Sequence, residues 1–251
     1  MIVPTMTNFE ICSEILNDFD KVGIRLDSLK EKAIRKFRKE FKRENFFWEE
    51  YVHQSTKNKY VVGWYVTHNN FDKPEKVCFC VMEDMGKKWV YTVHHSPVKS
   101  KNKEYMVNVM GISTYLPHFW QRYRERENIG IDKSFYEMVT LHFDINHKNF
   151  KMFPIQLNED ILRHYKEYGD YSGWAMVGRQ GICLMDSGWE GDQSTLGQPD
   201  SNLVFCTVFK TYLSYRMLTT AQQVALNESI AKQLEINNMK IAEHNSYVDA
   251  L

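Results

Sequence analysis

Across residues 57–112 one pattern recurs four times: a run of aromatic and β-branched residues followed by a short group of turn formers. Residues 60–67, 76–82, 88–94 and 104–112 each have the composition of a strand, and Asn69-Asn70, Asp84-Met85-Gly86 and residues 99–102 supply the breaks. Consecutive strands with such short connections pair with their neighbours in sequence, so the expected core is an antiparallel meander.

Helical patterns flank this region. Over residues 8–20, Phe9, Ile11, Ile15, Leu16 and Phe19 form an apolar stripe that Val22-Gly23 closes, and Asp27 caps a longer helix to about residue 46. Leu26, Leu29, Ala33, Phe37 and Phe41 recur there at the interval of a buried face. The opposite face is basic, with eight Lys or Arg over residues 30–43 against Glu31 and Glu40. That pattern suits a solvated helix face, or contact with nucleic acid or another anionic surface. Helical character returns after Ser113 as far as Arg126, from an Asp132 cap to about residue 143, and from an Asn158 cap to residue 168.

A second set of strands is expected at residues 173–177, 181–185 and 202–212, with residues 186–201, rich in Gly, Ser, Asp and Pro, as a long loop. Residues 219–246 form a last helix. Its apolar positions Val224, Leu226, Ile230, Leu234, Ile236 and Ile241 are only partly confined to one face, which suits packing on its own domain or on a second copy as a homodimer. The expectation is a single α+β domain over residues 1–251: a helical segment at 1–50, an antiparallel sheet flanked by helices at 57–212, and the terminal helix at 219–246.

Lys plus Arg and Asp plus Glu both number 32, which argues against a surface that grips a polyanion everywhere. The charge is uneven, however: residues 1–127 hold 22 basic and 17 acidic side chains, so any anion site belongs to the first half. The five cysteines have no regular spacing, and Cys78 and Cys80, one residue apart in an apolar run, read as core thiols. The amino terminus has neither a basic n-region nor an apolar h-region, and no run approaches the roughly 20 apolar residues of a membrane span. A reducing cytoplasm is the expected compartment, with no membrane partner.

The segment that carries chemistry is PHFWQRYRER, Pro117–Arg126. On a helix His118, Arg122 and Arg126 share one face. A histidine suits proton transfer near neutrality, and arginine forks match phosphate oxygens without losing their charge. Such a face can bind a phosphodiester, or cleave RNA without a metal, with His118 as acid or base, Arg122 and Arg126 on the phosphate, Lys210 or Thr211 completing the site from a facing strand, Thr207 beside them, and Tyr123 stacking on a base. The other reading is an amphipathic helix with Phe119, Trp120 and Tyr123 inward and the arginines paired with Glu125, Glu127 or other carboxylates.

With Ser113-Thr114 ahead of this segment, a hairpin around Gly181-Ile182-Cys183-Leu184, and the Thr-containing strand from Val204 to Thr211, about a quarter of the chain resembles metal-independent ribonuclease toxins of the RelE and BrnT type. The resemblance implies an α+β fold and RNA cleavage. In those toxins the helix and hairpin lie closer together and the whole chain is far shorter.

His94 and His95 are adjacent on a strand and should face opposite ways. His142, Asp144 and His147 are a loose set of metal-ligand types, but a five-residue spacing does not align on a helix. GxGxxG, the P-loop, GxSxG and HExxH are all missing from the sequence, so no nucleotide or metal cofactor is expected. Two functions remain: RNA binding or metal-independent RNA cleavage, and a non-enzymatic module that contacts another protein through an aromatic-rich sheet and the basic helix.

Overall fold

A computed structural model of the chain describes residues 1–40, 46–66, 73–99, 106–147, 153–157, 173–195 and 201–248. In chain order the elements are α1 (Asn8–Glu40), β1 (Phe46–Val52), β2 (Lys59–Tyr65), β3 (Glu75–Asp84), β4 (Lys87–Lys99), β5 (Met106–Tyr115), α2 (Pro117–Arg126), α3 (Phe135–His147), β6 (Phe153–Gln156), β7 (Trp174–Val177), β8 (Gly181–Glu190), β9 (Val204–Ser214) and α4 (Thr220–Val248). The fold is α+β, as expected, but the sheet is not purely antiparallel. Its order is β1-β2-β3-β4-β5-β9-β8-β7-β6, and β5 and β9 run parallel. The meander β1 to β5 and the meander β6 to β9 are each antiparallel, and the single parallel pairing joins them. A parallel neighbour requires a long crossover, and α2, α3 and β6 to β8 all lie between these two strands in the chain.

Three further differences have local causes. The expected break at Val22-Gly23 does not occur: α1 is one helix, because buried Val22 continues the stripe of Ile11, Ile15, Leu26, Leu29, Ala33 and Phe37. Gly23 costs about 1 kcal/mol relative to alanine, less than the burial of that stripe supplies. The helix ends at Glu40, short of the expected residue 46, and residues 46–50, expected within the N-terminal helical segment, belong to the edge strand β1, where alternation sends Trp48 and Phe47 into different cores. The strand β8 runs on to Glu190, through residues expected as loop, because β9 pairs with it along that length. The helix expected from Asn158 lies outside the described residues.

The two faces of the sheet are covered differently. On one, α1 packs over β2 to β5 and the start of β9, burying Val62, Trp64, Cys80, Tyr91, Ile112 and Cys206, and α4 covers β6 to β9 through Leu226 and Ile230 while Leu234 and Ile236 remain exposed. On the other, α2 and α3 bury Phe119, Trp120, Tyr123, Met138, Val139 and Phe143 against Val61, Phe79, Val90, Tyr115, Phe209 and Tyr212. The five cysteines are free thiols, and Cys78 and Cys80 sit in the α1 core. Among the described residues no helix is long and apolar enough to cross a membrane.

A buried carboxylate fixes α1 to the sheet. Asp18, 1% exposed, accepts from Tyr60 Oη at 2.6 Å, Thr56 Oγ1 at 2.8 Å and Asn58 Nδ2 at 2.8 Å. Burial pushes the Tyr60 phenol well above its ordinary range, so it remains a donor. At the other end of the sheet Glu190 accepts from the Asn8 backbone at 3.1 Å and from Asn8 Nδ2 at 2.8 Å, holding the start of α1 over β8. Asp18→Ala leaves three donors without their acceptor and should lower the unfolding free energy by roughly 3 kcal/mol in a urea titration, with the slope of the transition unchanged.

Candidate functional site

Helix α2 follows β5 after one residue. Leu116 provides no side-chain cap, Pro117 opens the first turn, and that turn contains no acid. The Leu116 backbone bonds to the Phe209 carbonyl, while Arg126 at the far end reaches the Tyr212 carbonyl, so the helix runs along β9 with its positive end nearer Thr207.

The predicted site residues separate on this frame. His118 is exposed on the outer ridge. Partial burial first, and then Arg122 and Arg126, hold its imidazole below the ordinary value of 6.5. Arg122 is half exposed and donates to Glu125 Oε2 at 2.8 Å. Arg126 turns inward, 9% exposed, and gives its guanidinium to the Tyr212 backbone. Tyr123, expected to stack on a base, is fully buried with its ring centroid 4.9 Å from that of Tyr212. In β9, Thr207 faces the α2 side. Thr211 pairs with Leu184 and Phe209 with Met185, so Lys210 is the extra residue of a bulge, and Lys210 and Thr211 lie on the α1 side. Lys210 is ion-paired with Asp186 there. The helix and the strand therefore do not gather all seven residues into one pocket: of the seven, His118 and Arg122 reach solvent on the α2 side, and Thr207 faces the same side but is buried.

Other candidates are structural. His142 is fully buried, ringed by Tyr115, Phe119, Trp120, Tyr123 and Phe143. Among the described residues no three His, Cys, Asp or Glu side chains could hold a metal. Asp18, His53 and Thr56 are the residue types of a catalytic triad, but Asp18 Oδ1 at 3.3 Å and Thr56 Oγ1 at 2.9 Å approach the same ring nitrogen, so nothing is relayed across the imidazole. The basic face of α1 keeps Lys30, Lys32, Arg35, Arg38 and Lys39 outward, although Lys32 and Arg25 are bonded to Glu49 and Lys30 lies over the Trp64 ring.

The sheet itself presents a second candidate site, one that no local sequence pattern marks on its own. On the α2 side the register aligns three rows across β4, β5, β9 and β8. Val90, Tyr115, Phe209 and Met185 form the first, which belongs to the buried core. Thr92, Ser113, Thr207 and Ser187 form the second, four hydroxyls side by side. His94, Gly111, Phe205 and Trp189 form the third. Trp189 and Phe205 are half-buried, meet edge to face at 5.1 Å, and belong to none of the three cores. Thr207 at the centre of the hydroxyl row is 8% exposed. Among the described residues none of the four hydroxyls, and neither nitrogen of His94, has a hydrogen-bond partner. The result is a trough roughly 14 Å long across four strands, floored by hydroxyls, with an aromatic core wall on one side and an imidazole and two aromatic rings on the other.

Gly111 makes room for the imidazole. A Cβ at this position would lie 2.4 Å from His94 Nε2, so the ring leans across β5 into the space a side chain would occupy. Burial first, and then the neighbouring His95, hold His94 below the ordinary value of 6.5, so at neutral pH it offers one donor and one acceptor. Its neighbour His95 is exposed, as alternation predicts. The sequence does carry a signal for these rows: in each of the four strands a hydroxyl residue has larger groups two positions to either side, Gly111 excepted. It becomes legible only when the strand order is known.

Gly111→Ala should swing the imidazole out of the trough without strain in the strand, since this glycine has no positive φ. By NMR titration the wild-type His94 midpoint should lie below 6.5, and the variant's should move back up toward it as the ring gains water. Because the folded value is the lower one, neutral His94 contributes stability that is present above 6.5 and lost as pH falls through the folded midpoint. No family model, curated protein or solved structure matches the chain, so the site rests on its own geometry.

Proposed function

We propose that this chain is an RNA-binding protein that holds single-stranded RNA along the trough on the α2 side of its sheet. The observation that carries the reading is the half-buried Trp189–Phe205 pair, outside every core, beside four hydroxyls and an imidazole that have no partner among the described residues. Aromatic rings on a sheet face stack on bases whatever their identity, and neutral hydroxyl and imidazole groups bond base edges and riboses. Phosphates have a counterpart in His118 and Arg122 on the outer ridge of α2, whose first turn contains no acid. The basic outer face of α1 adds a long-range attraction for a polyanion.

Cleavage has less support than binding. Arg126 is committed to the Tyr212 carbonyl, Lys210 and Thr211 belong to the opposite face, and Arg122 shares its charge with Glu125. A protein contact through the sheet aromatics is also the weaker reading, because Tyr115, Phe79 and Phe209 are spent in the core.

Fluorescence anisotropy with a labelled single-stranded oligoribonucleotide should give saturable binding that weakens as salt rises. Trp189→Ala should weaken it by roughly 1–3 kcal/mol, about fivefold to 150-fold, with an unchanged thermal transition. Salt-independent binding, or binding indifferent to Trp189, would rule the reading out. In chelator the RNA should be recovered intact; degradation that disappears in His118→Ala would instead restore the cleavage reading.

A further inference from the structure

We infer that the hydroxyl row selects RNA over DNA by bonding the ribose 2′-hydroxyl; the inference rests on the RNA-binding reading above and assigns Thr92, Ser113, Thr207 and Ser187 as the specificity-determining residues of that site. These are four donor–acceptor groups on four adjacent strands, in register through Thr92↔Ser113, Ser113↔Thr207 and Ser187↔Thr207. Each lacks a partner among the described residues, including Thr207, whose residue is more than nine-tenths buried. A half-buried hydroxyl that bonds no protein group depends on water or ligand to satisfy it.

The composition of the trough fixes what that ligand group is. A serine or threonine hydroxyl both donates and accepts, and so does the ribose 2′-hydroxyl, so the two complement each other in either direction. A phosphate only accepts, and a row chosen for phosphate would contain lysine or arginine, of which the three rows have none. A base offers a flat face, which Trp189 and Phe205 meet, and polar edges that His94 can reach with one donor and one acceptor. Sugar to the hydroxyl floor and base to the aromatic wall therefore divides the nucleotide between adjacent rows. Deoxyribose leaves the floor groups facing a C–H, and removal of one partner from a buried hydrogen bond costs more than the bond itself contributes.

The test compares a labelled oligouridylate with its deoxyuridine and 2′-O-methyl counterparts of equal length by anisotropy at fixed salt, on wild type, Thr207→Val, Ser113→Ala and Thr92→Val. Wild type should bind the ribose form at least about tenfold more tightly than either other form, and each variant should narrow that ratio by about threefold to tenfold. Thr207→Val keeps the side-chain shape at the most buried position, Thr92→Val repeats the change where more water reaches, and thermal unfolding of each confirms that the ratio is read on folded protein. Equal affinity of wild type for ribose and deoxyribose overturns the assignment while the RNA-binding reading stands. A ratio that all three variants leave unmoved also overturns it. Binding to none of the three oligonucleotides overturns the parent reading and this inference together.

Discussion

The parallel pairing of β5 with β9 is the constraint on which the rest of the molecule depends. Each half of the chain builds its own antiparallel meander, and this one set of contacts, from Met110↔Val204 to Tyr115↔Phe209, turns two sheets into a single nine-stranded one. Parallel strands need a long connection, and here the connection contains the two helices that cover the sheet next to the seam. The same register fixes the trough. Ser113 faces Thr207 and Gly111 faces Phe205 because Tyr115 faces Phe209, and a slip of β9 by one residue would send Thr207 to the α1 side and take the core residue Cys206 out of the α1 core. Stability and site geometry are thus set together: the stacked Tyr115 and Phe209 rings, 4.2 Å apart, reward the only register that also lines up the hydroxyls.

Helix α2 shows how packing redistributes the chemistry of a promising segment. Its apolar residues Phe119, Trp120 and Tyr123 drive it onto the sheet, and the angle at which they seat brings Arg126 down against β9. A buried guanidinium needs an acceptor, and the Tyr212 carbonyl supplies one, while Tyr212 Oη donates to Glu127 Oε1 at 2.8 Å just beyond the helix. The residue that the sequence offers as a phosphate ligand is therefore a clamp between helix and strand. His118, one turn earlier than Arg122, stays exposed.

Local patterns were a good guide wherever one residue's neighbours in sequence were also its neighbours in space. The hairpin turn at Asp84-Met85-Gly86 is real, with Met85 and Gly86 both at positive φ. The opposite orientation of His94 and His95, the core role of Cys78 and Cys80, and the inward face of Phe119, Trp120 and Tyr123 all follow from strand or helix periodicity. Where the reading diverged, a distant partner decided the outcome. Gly23 has the local signature of a helix end, yet buried Val22 carries α1 through it; residues 46–50 fall in the expected helical segment, yet they pair with β2; and residues 186–190 have loop composition, yet β9 runs alongside them.

By itself the sequence determined the α+β class, most of the strands, the basic stripe on the first helix and the inward face of Phe119, Trp120 and Tyr123, because each of these depends only on backbone periodicity and side-chain type. Tertiary structure alone decided that β9 lies between β5 and β8, that Lys210 and Thr211 face away from α2, and that Thr92, Ser113, Thr207 and Ser187 stand in one row. Those four residues span more than a hundred positions of the chain, from Thr92 to Thr207. Nothing local relates them: they meet because strand order and register are chosen by the burial of Tyr115, Phe209 and the residues around them, and the hydroxyls take the positions that this choice leaves.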